Sequence, residues 1–292
     1  VLKIKLLESM LIGAVMSSTD AASVFSVLRS KNLNLKYNTA SMLEMESGSN
    51  DPFAYMLTVI VLSFMKGENS VGQMVYSIVA QIVFGVLIGF LIALGAVWFM
   101  KHFTFNTSGF DAAFVLGVAV LAYALPTLVG GNGYLSAYIV GIVLGNQNIH
   151  NKKSLVHFFD GMTGLMQMLI FFLLGLLSFP SKILTVLLPS IFIALFITFV
   201  ARPLAVATVL APFKTKISQY LVVSWAGLRG AASIVFAIMA MVGGVTMEQD
   251  IFHIAFCVVL FSITLQGSFL PFVASKTNMI DKTGSVLKTF ND

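Results

Sequence analysis

Charge is scarce in this chain and thiols are nearly absent. Lys, Arg, Asp and Glu together make up 10% of 292 residues, where soluble domains carry about 25%, so no ordinary hydrated surface can be built. A single cysteine, Cys257, sits in an apolar run and excludes an internal disulfide framework. Strand-period alternation is missing from the apolar stretches, which argues against an outer-membrane barrel. A signal-peptide pattern and an initiating Met are also missing, because Lys3 and Lys5 run straight into an apolar segment. The chain reads as a piece of a longer protein. What fills it is hydrocarbon: 58% apolar residues, 26 Phe and 15 Met, and a mean hydropathy of +0.95. The expected class is an all-α polytopic membrane protein.

Nine stretches are long and apolar enough to cross a hydrocarbon core of about 30 Å. They run roughly over 6–28, 39–63, 71–100, 110–128, 131–147, 158–179, 182–211, 217–244 and 250–275. The net charge of +5 needs no nucleic-acid partner, since membrane topology accounts for it. Alternate connections hold Arg29, Lys31 and Lys36, then Lys101, then Lys152 and Lys153, then Lys214 and Lys216, then a mixed tail over 276–292. The opposite connections hold Lys66 with Glu68, no charge around Gly130 and Gly131, Lys182, and Glu248 with Asp250. The positive-inside rule puts the first set and the C-terminus in the cytoplasm of a cell (plasma or inner) membrane. The expected organisation is a transmembrane domain over 1–275 and the start of a cytoplasmic tail over 276–292.

Two spans make poor regular helices. The first contains Ser17-Ser18-Thr19-Asp20, whose side chains compete for backbone hydrogen bonds. The eighth contains Gly227-Leu228-Arg229-Gly230, a charge between glycines. Interrupted spans in corresponding halves point to a transporter site near the midplane.

A charged side chain at that depth costs about 2.5–3.5 kcal/mol or more, so each intramembrane carboxylate is a functional-site hypothesis. Asp20, Glu46 and Asp51 are such carboxylates. In Glu46-Ser47-Gly48-Ser49-Asn50-Asp51-Pro52, Glu46 and Asn50 share one helix face and Ser47 and Asp51 the adjoining one. Pro52 has no N–H, so the Gly48 carbonyl loses its helical partner. Carboxylate, hydroxyl and bare carbonyl are donors for a hard cation. Burial raises a carboxyl pKa, and an Asp51 poised near neutrality could hold either a proton or a cation. Arg202 and Arg229 remain charged and need carboxylate partners, with Glu46 the natural mate of either. Three acids against two arginines leave one negative charge, which predicts one-for-one electroneutral exchange. Asp20 either joins the site or caps a half-helix.

Other residues carry weaker signals. His102, His150 and His157 read as solvated loop histidines, His253 as an interfacial one, and Asp111 as a helix cap. The pairs Gly85/Gly89 and Gly141/Gly145 read as helix-packing or dimer contacts.

At these residues the chain resembles the monovalent cation/proton antiporters. The segment Ser17-Ser18-Thr19-Asp20-Ala21-Ala22 is similar to their unwound "TD" helix, and 46–52 to the "ESGxNDP" signature of the electroneutral sodium/proton exchanger-like branch. Ala201-Arg202-Pro203 and the run from Trp225 to Ala231 resemble its two arginine helices. The wording looks closest to bacterial potassium/proton antiporters of the cell-volume-regulation type. The resemblance implies an inverted-repeat antiporter fold with two crossed unwound helices, N-terminally truncated to about nine of thirteen spans. It implies a homodimer with an elevator-like movement, and a regulatory domain beyond Lys282-Thr283-Gly284. It makes Asp51 the ion- and proton-binding carboxylate steadied by Asn50, with Thr19, Asp20 and Ser47 lining the site. A monovalent cation (K⁺ or Na⁺) would sit at Asp51 and Asp20, Glu46 would pair with Arg202, and Arg229 would balance half-helix dipoles. No catalytic residue or cofactor is implied. An intramembrane aspartyl protease would need a Gly-x-Gly-Asp motif, and a channel a Gly-rich filter, neither of which occurs. An ion-coupled symporter of related inverted-repeat fold is the alternative that remains.

Overall fold

The computed structural model describes residues 5–31, 33–67, 71–105, 107, 109–213, 215–245 and 247–281. Lys3, Glu68, Lys214 and the tail beyond 281, including Lys282, lie outside them. The helices are α1 Leu6–Val15, α2 Ala21–Ser30, α3 Thr39–Lys66, α4 Val71–His102, α5 Phe110–Leu128, α6 Gly133–Gly145 and α7 Lys152–Leu177. They continue as α8 Pro180–Phe196, α9 Arg202–Leu210, α10 Ile217–Trp225, α11 Ala231–Val242, α12 Ile251–Phe261 and α13 Ser268–Lys276. Each of the nine apolar stretches is thus helical. Among the described residues five helical runs are long and apolar enough to cross a membrane, including Gly72–His102, Pro180–Phe213 and Ile251–Lys276. The first and eighth stretches are broken into α1–α2 and α10–α11, α3 is diluted by its polar motif, and α6 is short. The α4 helix, at 32 residues, spans about 48 Å.

Prolines shape two of the long runs. Pro203 and Pro271 cannot donate to the preceding turn, and each is preceded by a π-turn, Ile197–Ala201 and Ser262–Gly267. Such insertions bend a helix and re-aim its side chains.

The chain forms two compact units. One comprises Val1–Asn50 with Leu173–Asp292, the other Asp51–Phe172. In the first, Val24, Leu28, Leu43, Val206, Val222, Leu228 and Leu270 form a buried core. Met279, fully buried, joins this core because a two-residue strand β1 (Asn34–Leu35) pairs antiparallel with β2 (Ile280–Asp281). In the second unit, Ala93, Val97, Ala112, Ala122, Val140 and Leu144 form the core. There α4 and α6 approach closely because Gly89 has no side chain: a Cβ would lie 2.8 Å from the Ser136 Cα. Gly85 is similarly close to the Asn132 carbonyl. Gly141 and Gly145 instead face open space, with no atom within 4 Å, so that pair does not pack within the described chain. Large apolar side chains on α7, such as Leu165, Met168 and Leu176, are exposed, which suits hydrocarbon rather than water.

Four polar residues differ from expectation, and the first is His102, which ends α4 rather than lying in a loop. Asp111 lies in the first turn of α5, which Gly109 caps, and it accepts from Asn151 Nδ2 at 2.8 Å. His157 belongs to α7, which begins at Lys152, earlier than its apolar stretch suggested. His253 is buried, not interfacial: the Phe179 N–H donates to its Nε2 (3.1 Å) and Nδ1 meets Asp250 Oδ2 (2.8 Å). A ring accepting at Nε2 carries its hydrogen on Nδ1. Burial pushes the Asp250 carboxyl up, but hydrogen bonds from the His253 side chain and backbone, with the Lys182 charge nearby, outweigh it and hold the group below its ordinary range.

Candidate functional site

A helix broken within a membrane leaves orphan N–H and C=O groups that hydrocarbon cannot satisfy. Where those groups go defines the site. At the first break, between α1 and α2, the α3 motif supplies the partners. Ser47 Oγ donates to the Thr19 carbonyl (2.8 Å) and accepts the Ala21 N–H (3.0 Å). Asn50 grips Thr19 at both ends: Oδ1 accepts its N–H (3.3 Å) and Nδ2 donates to Thr19 Oγ1 (2.5 Å). Arg229 Nη1 donates to the Ser17 and Ser18 carbonyls at 3.2 and 2.9 Å. A cation placed at the negative end of α1 complements its dipole.

The second break, between α10 and α11, is satisfied partly by the first. Asp20 N–H donates to the Leu228 carbonyl at 2.8 Å, so the two interrupted spans meet backbone to backbone. Asp20 also caps α2, accepting from Ser23 N–H (3.2 Å) and Ser23 Oγ (2.5 Å). Its carboxyl presses on Gly230, where an added Cβ would sit 2.6 Å from Oδ2. Two further groups are met from the last span: Gln266 Nε2 donates to the Trp225 carbonyl (2.6 Å) and the Arg229 N–H donates to Ser262 Oγ (2.9 Å).

Glu46, at the start of the α3 motif, receives both terminal nitrogens of Arg202. Nη2 donates to Oε2 at 2.8 Å, and Nη1 pairs with Oε1. Nη2 also reaches the Val223 carbonyl at 3.2 Å. Gly227 leaves room for this guanidinium, since a Cβ there would lie 2.5 Å from Nε. A bidentate pair of this kind is strong and fixes orientation.

Asp51 is the next residue of α3 after Asn50 and begins the second unit. It is half-buried and within electrostatic reach of Tyr134. One turn along the same face, Tyr55 packs on Tyr134 with ring centroids 5.0 Å apart. Asn132 Nδ2 donates to the carbonyl of Pro52 at 2.9 Å, while Oδ1 caps α6 through the Leu135 N–H. Among the described residues no three His, Cys, Asp or Glu side chains converge as a metal centre requires. A monovalent cation here would be cargo, not a resident cofactor.

The sequence reading missed Ser262, Gln266, Asn132 and Glu8. The first two are polar, four apart and set in an apolar span, which is itself a signal. Asn132 stands between Gly131 and Gly133, a cap signature. Glu8 is almost fully buried and accepts the Glu248 N–H at 2.9 Å; one acid near a span end gives little warning.

Residues 1–276 match the family described as sodium/hydrogen exchanger, transmembrane. A K(+)/H(+) antiporter NhaP2 from Shewanella sp. (strain ANA-3) is 38% identical over 275 residues, covering 92% of this chain and 47% of that protein. The K(+)/H(+) antiporter NhaP of Alkalimonas amylolytica is 36% identical over 89% of this chain and 46% of its own. The chain therefore spans about half the length of these curated relatives. The solved structure of the sodium proton antiporter MjNhaP1 from Methanocaldococcus jannaschii at pH 8 superposes with a TM-score of 0.77 at 25% identity, covering 91% of this chain and 70% of that one. With a family match across nearly its whole length, this chain is a member of the sodium/hydrogen exchanger family.

Proposed function

We propose that the protein is a secondary active antiporter exchanging a monovalent cation, K⁺ or Na⁺, for H⁺ by alternating access, with both occupants competing for Asp51. The observation that carries this reading is the junction of the two interrupted spans. Asp20 bonds Leu228 there, and Ser47 and Asn50 hold Thr19 one turn or less before Asp51 on the same helix. Relatives named as K(+)/H(+) and sodium proton antiporters support the reaction class. None of the names reported above favours a symporter.

In this reading Asp51 titrates. Thr19, Asp20 and Ser47 offer oxygen atoms to the cation, and Asn50 holds Thr19 in place. Glu46 is neutralised by Arg202, and Arg229 balances the ends of the broken helices. The remaining single negative charge favours one-for-one exchange. Residues 1–275 would form the exchanger domain and 276–292 the start of a tail. The Lys and Arg distribution favours a cytoplasmic C-terminus in a plasma or inner membrane. A homodimer follows from the family resemblance, and cell pH and volume homeostasis would be the physiological outcome.

The test uses the protein in lipid vesicles with a trapped pH dye. Adding K⁺ or Na⁺ should move protons, and Asp51→Asn should abolish the response. Undiminished exchange by that variant would sink the assignment.

A further inference from the structure

The last span reaches the eighth through an unusual feature. Between α12 and α13 the helix widens into the π-turn Ser262–Gly267, and its first and fifth residues, Ser262 and Gln266, are both buried. Their polar atoms form one closed chain. Gln266 Nε2 donates to the Trp225 carbonyl (2.6 Å), and the Trp225 indole Nε1–H donates to the Gln266 carbonyl (2.9 Å). Ser262 Oγ donates to Gln266 Oε1 (2.9 Å) and accepts the backbone N–H of Arg229 (2.9 Å). Because the hydroxyl hydrogen is committed to Gln266, its lone pairs face Arg229 in a fixed sense. Arg229 then carries the constraint onward, since Nη1 binds the Ser17 and Ser18 carbonyls that precede Thr19.

Arg229 is buried and borders an open pocket of about 240 Å³ that Trp225, Ser262 and Gln266 also line. Hydrogen bonds are the directional contacts at this arginine, and Ser262 fixes its backbone. We propose that Ser262 and Gln266 are positioning residues for cation binding: a polar clamp from the last span that sets Arg229 and, through it, the unwound segment bearing Thr19 and Asp20. The inference rests on the exchange reading above. The clamp touches no ion. It holds one broken helix at the register in which its arginine can close the other.

The test compares Ser262→Ala, Ser262→Thr, Gln266→Met and the Ser262→Ala/Gln266→Met double variant in reconstituted vesicles, with K⁺ and Na⁺ as probes. Loss of the clamp raises the apparent KM for the cation about threefold or more while kcat per folded molecule changes less than about twofold, the pattern of lost binding rather than lost chemistry. Ser262→Thr keeps the hydroxyl and behaves as the parent. The double variant is no worse than the worse single one, because both cut the same chain. An unchanged KM in both single variants, or equal impairment by Ser262→Thr and Ser262→Ala, overturns the clamp.

Asp51→Asn run in parallel separates the two ideas. If it still exchanges, the ion-site reading fails and the clamp is judged by fluorescence. The chain has two tryptophans, so Trp98→Phe leaves Trp225 as the reporter. Its emission shifts to the red in Ser262→Ala and Gln266→Met but not in Ser262→Thr. Identical emission in all three overturns the clamp whatever the transport result.

Discussion

Gly230 has no room for a side chain, because Asp20 occupies the space a Cβ would need. Gly230→Ala should push the Asp20 carboxyl off its cap and part the Asp20–Leu228 backbone bond, reducing exchange at least about tenfold, as misplacement by an ångström does at other sites. Gly141→Ala, in open space, is the matched control and should exchange normally in the same dye assay. The Glu46–Arg202 pair makes a different kind of prediction. Removing one partner strands the other charge out of water, a loss on the order of 3 kcal/mol when the site is well buried. Arg202 is 9% exposed and Glu46 30%, so the burden falls on the arginine. Glu46→Gln should therefore lower the melting temperature of the purified protein more than Ser49→Ala, whose hydroxyl returns to the Glu46 carbonyl of its own helix. Equal melting of the two variants would show the pair to be dispensable.

At the scale of elements, the interruptions matter more than the helices. Each break is met by specific side chains from another element, and Asn132 in turn ties α6 to the proline-containing α3. Its side chain caps α6 and donates to the Pro52 carbonyl. Asn132→Ala should cost about 1 kcal/mol from the lost cap, more if the Pro52 carbonyl finds no other donor, as a urea or thermal titration of the purified protein would register. A smaller loss would mean that α6 needs no cap there. The locations of both breaks were legible in the sequence, because consecutive Ser, Ser, Thr and Asp, or an arginine between glycines, cannot continue an apolar helix in hydrocarbon. The acids and the two arginines were legible for the same reason. Their partners were less so. Three acids and two arginines permit several pairings, and a linear chain does not say which helix lies opposite Glu46. Ser262 and Gln266 escaped notice because a serine and a glutamine in a span are individually cheap, and only the fold brings both to one broken backbone. Met279 was illegible for the opposite reason: a lone Met in a polar tail gives no hint that a two-residue strand will bury it.

For the molecule as a whole, the charges decide two behaviours. The first is acid stability. Asp250 caps α12 just ahead of the run Ile251–Lys276, with its carboxyl held below the ordinary value. A depressed carboxyl contributes its full stabilisation above the unfolded value, near 4, and loses it as pH falls through the folded value. Asp250→Asn should flatten the decline in melting temperature below about pH 5 and leave the neutral value less affected than the slope. The second is the response to membrane potential. Glu8 adds a buried acid to the earlier count, but it lies in the first turn of α1 and interacts with Lys5, at the end of a span rather than its middle. Of the groups proposed for the site, Asp20, Glu46 and Asp51 against Arg202 and Arg229 leave one negative charge, which one proton or one monovalent cation cancels. On the proposed exchange reading, the loaded site is neutral in both halves of the cycle. A field does work only on net charge, about 2.3 kcal/mol per charge per 100 mV. An uncompensated charge crossing the whole field in the slow step would therefore change the rate by up to about fiftyfold per 100 mV. Sodium-driven proton movement into vesicles held at 0 and at −100 mV by an ionophore should run at the same initial rate. A several-fold difference would mean that a second charge travels with the ion, and would direct attention to Glu8 or to an acid beyond this chain.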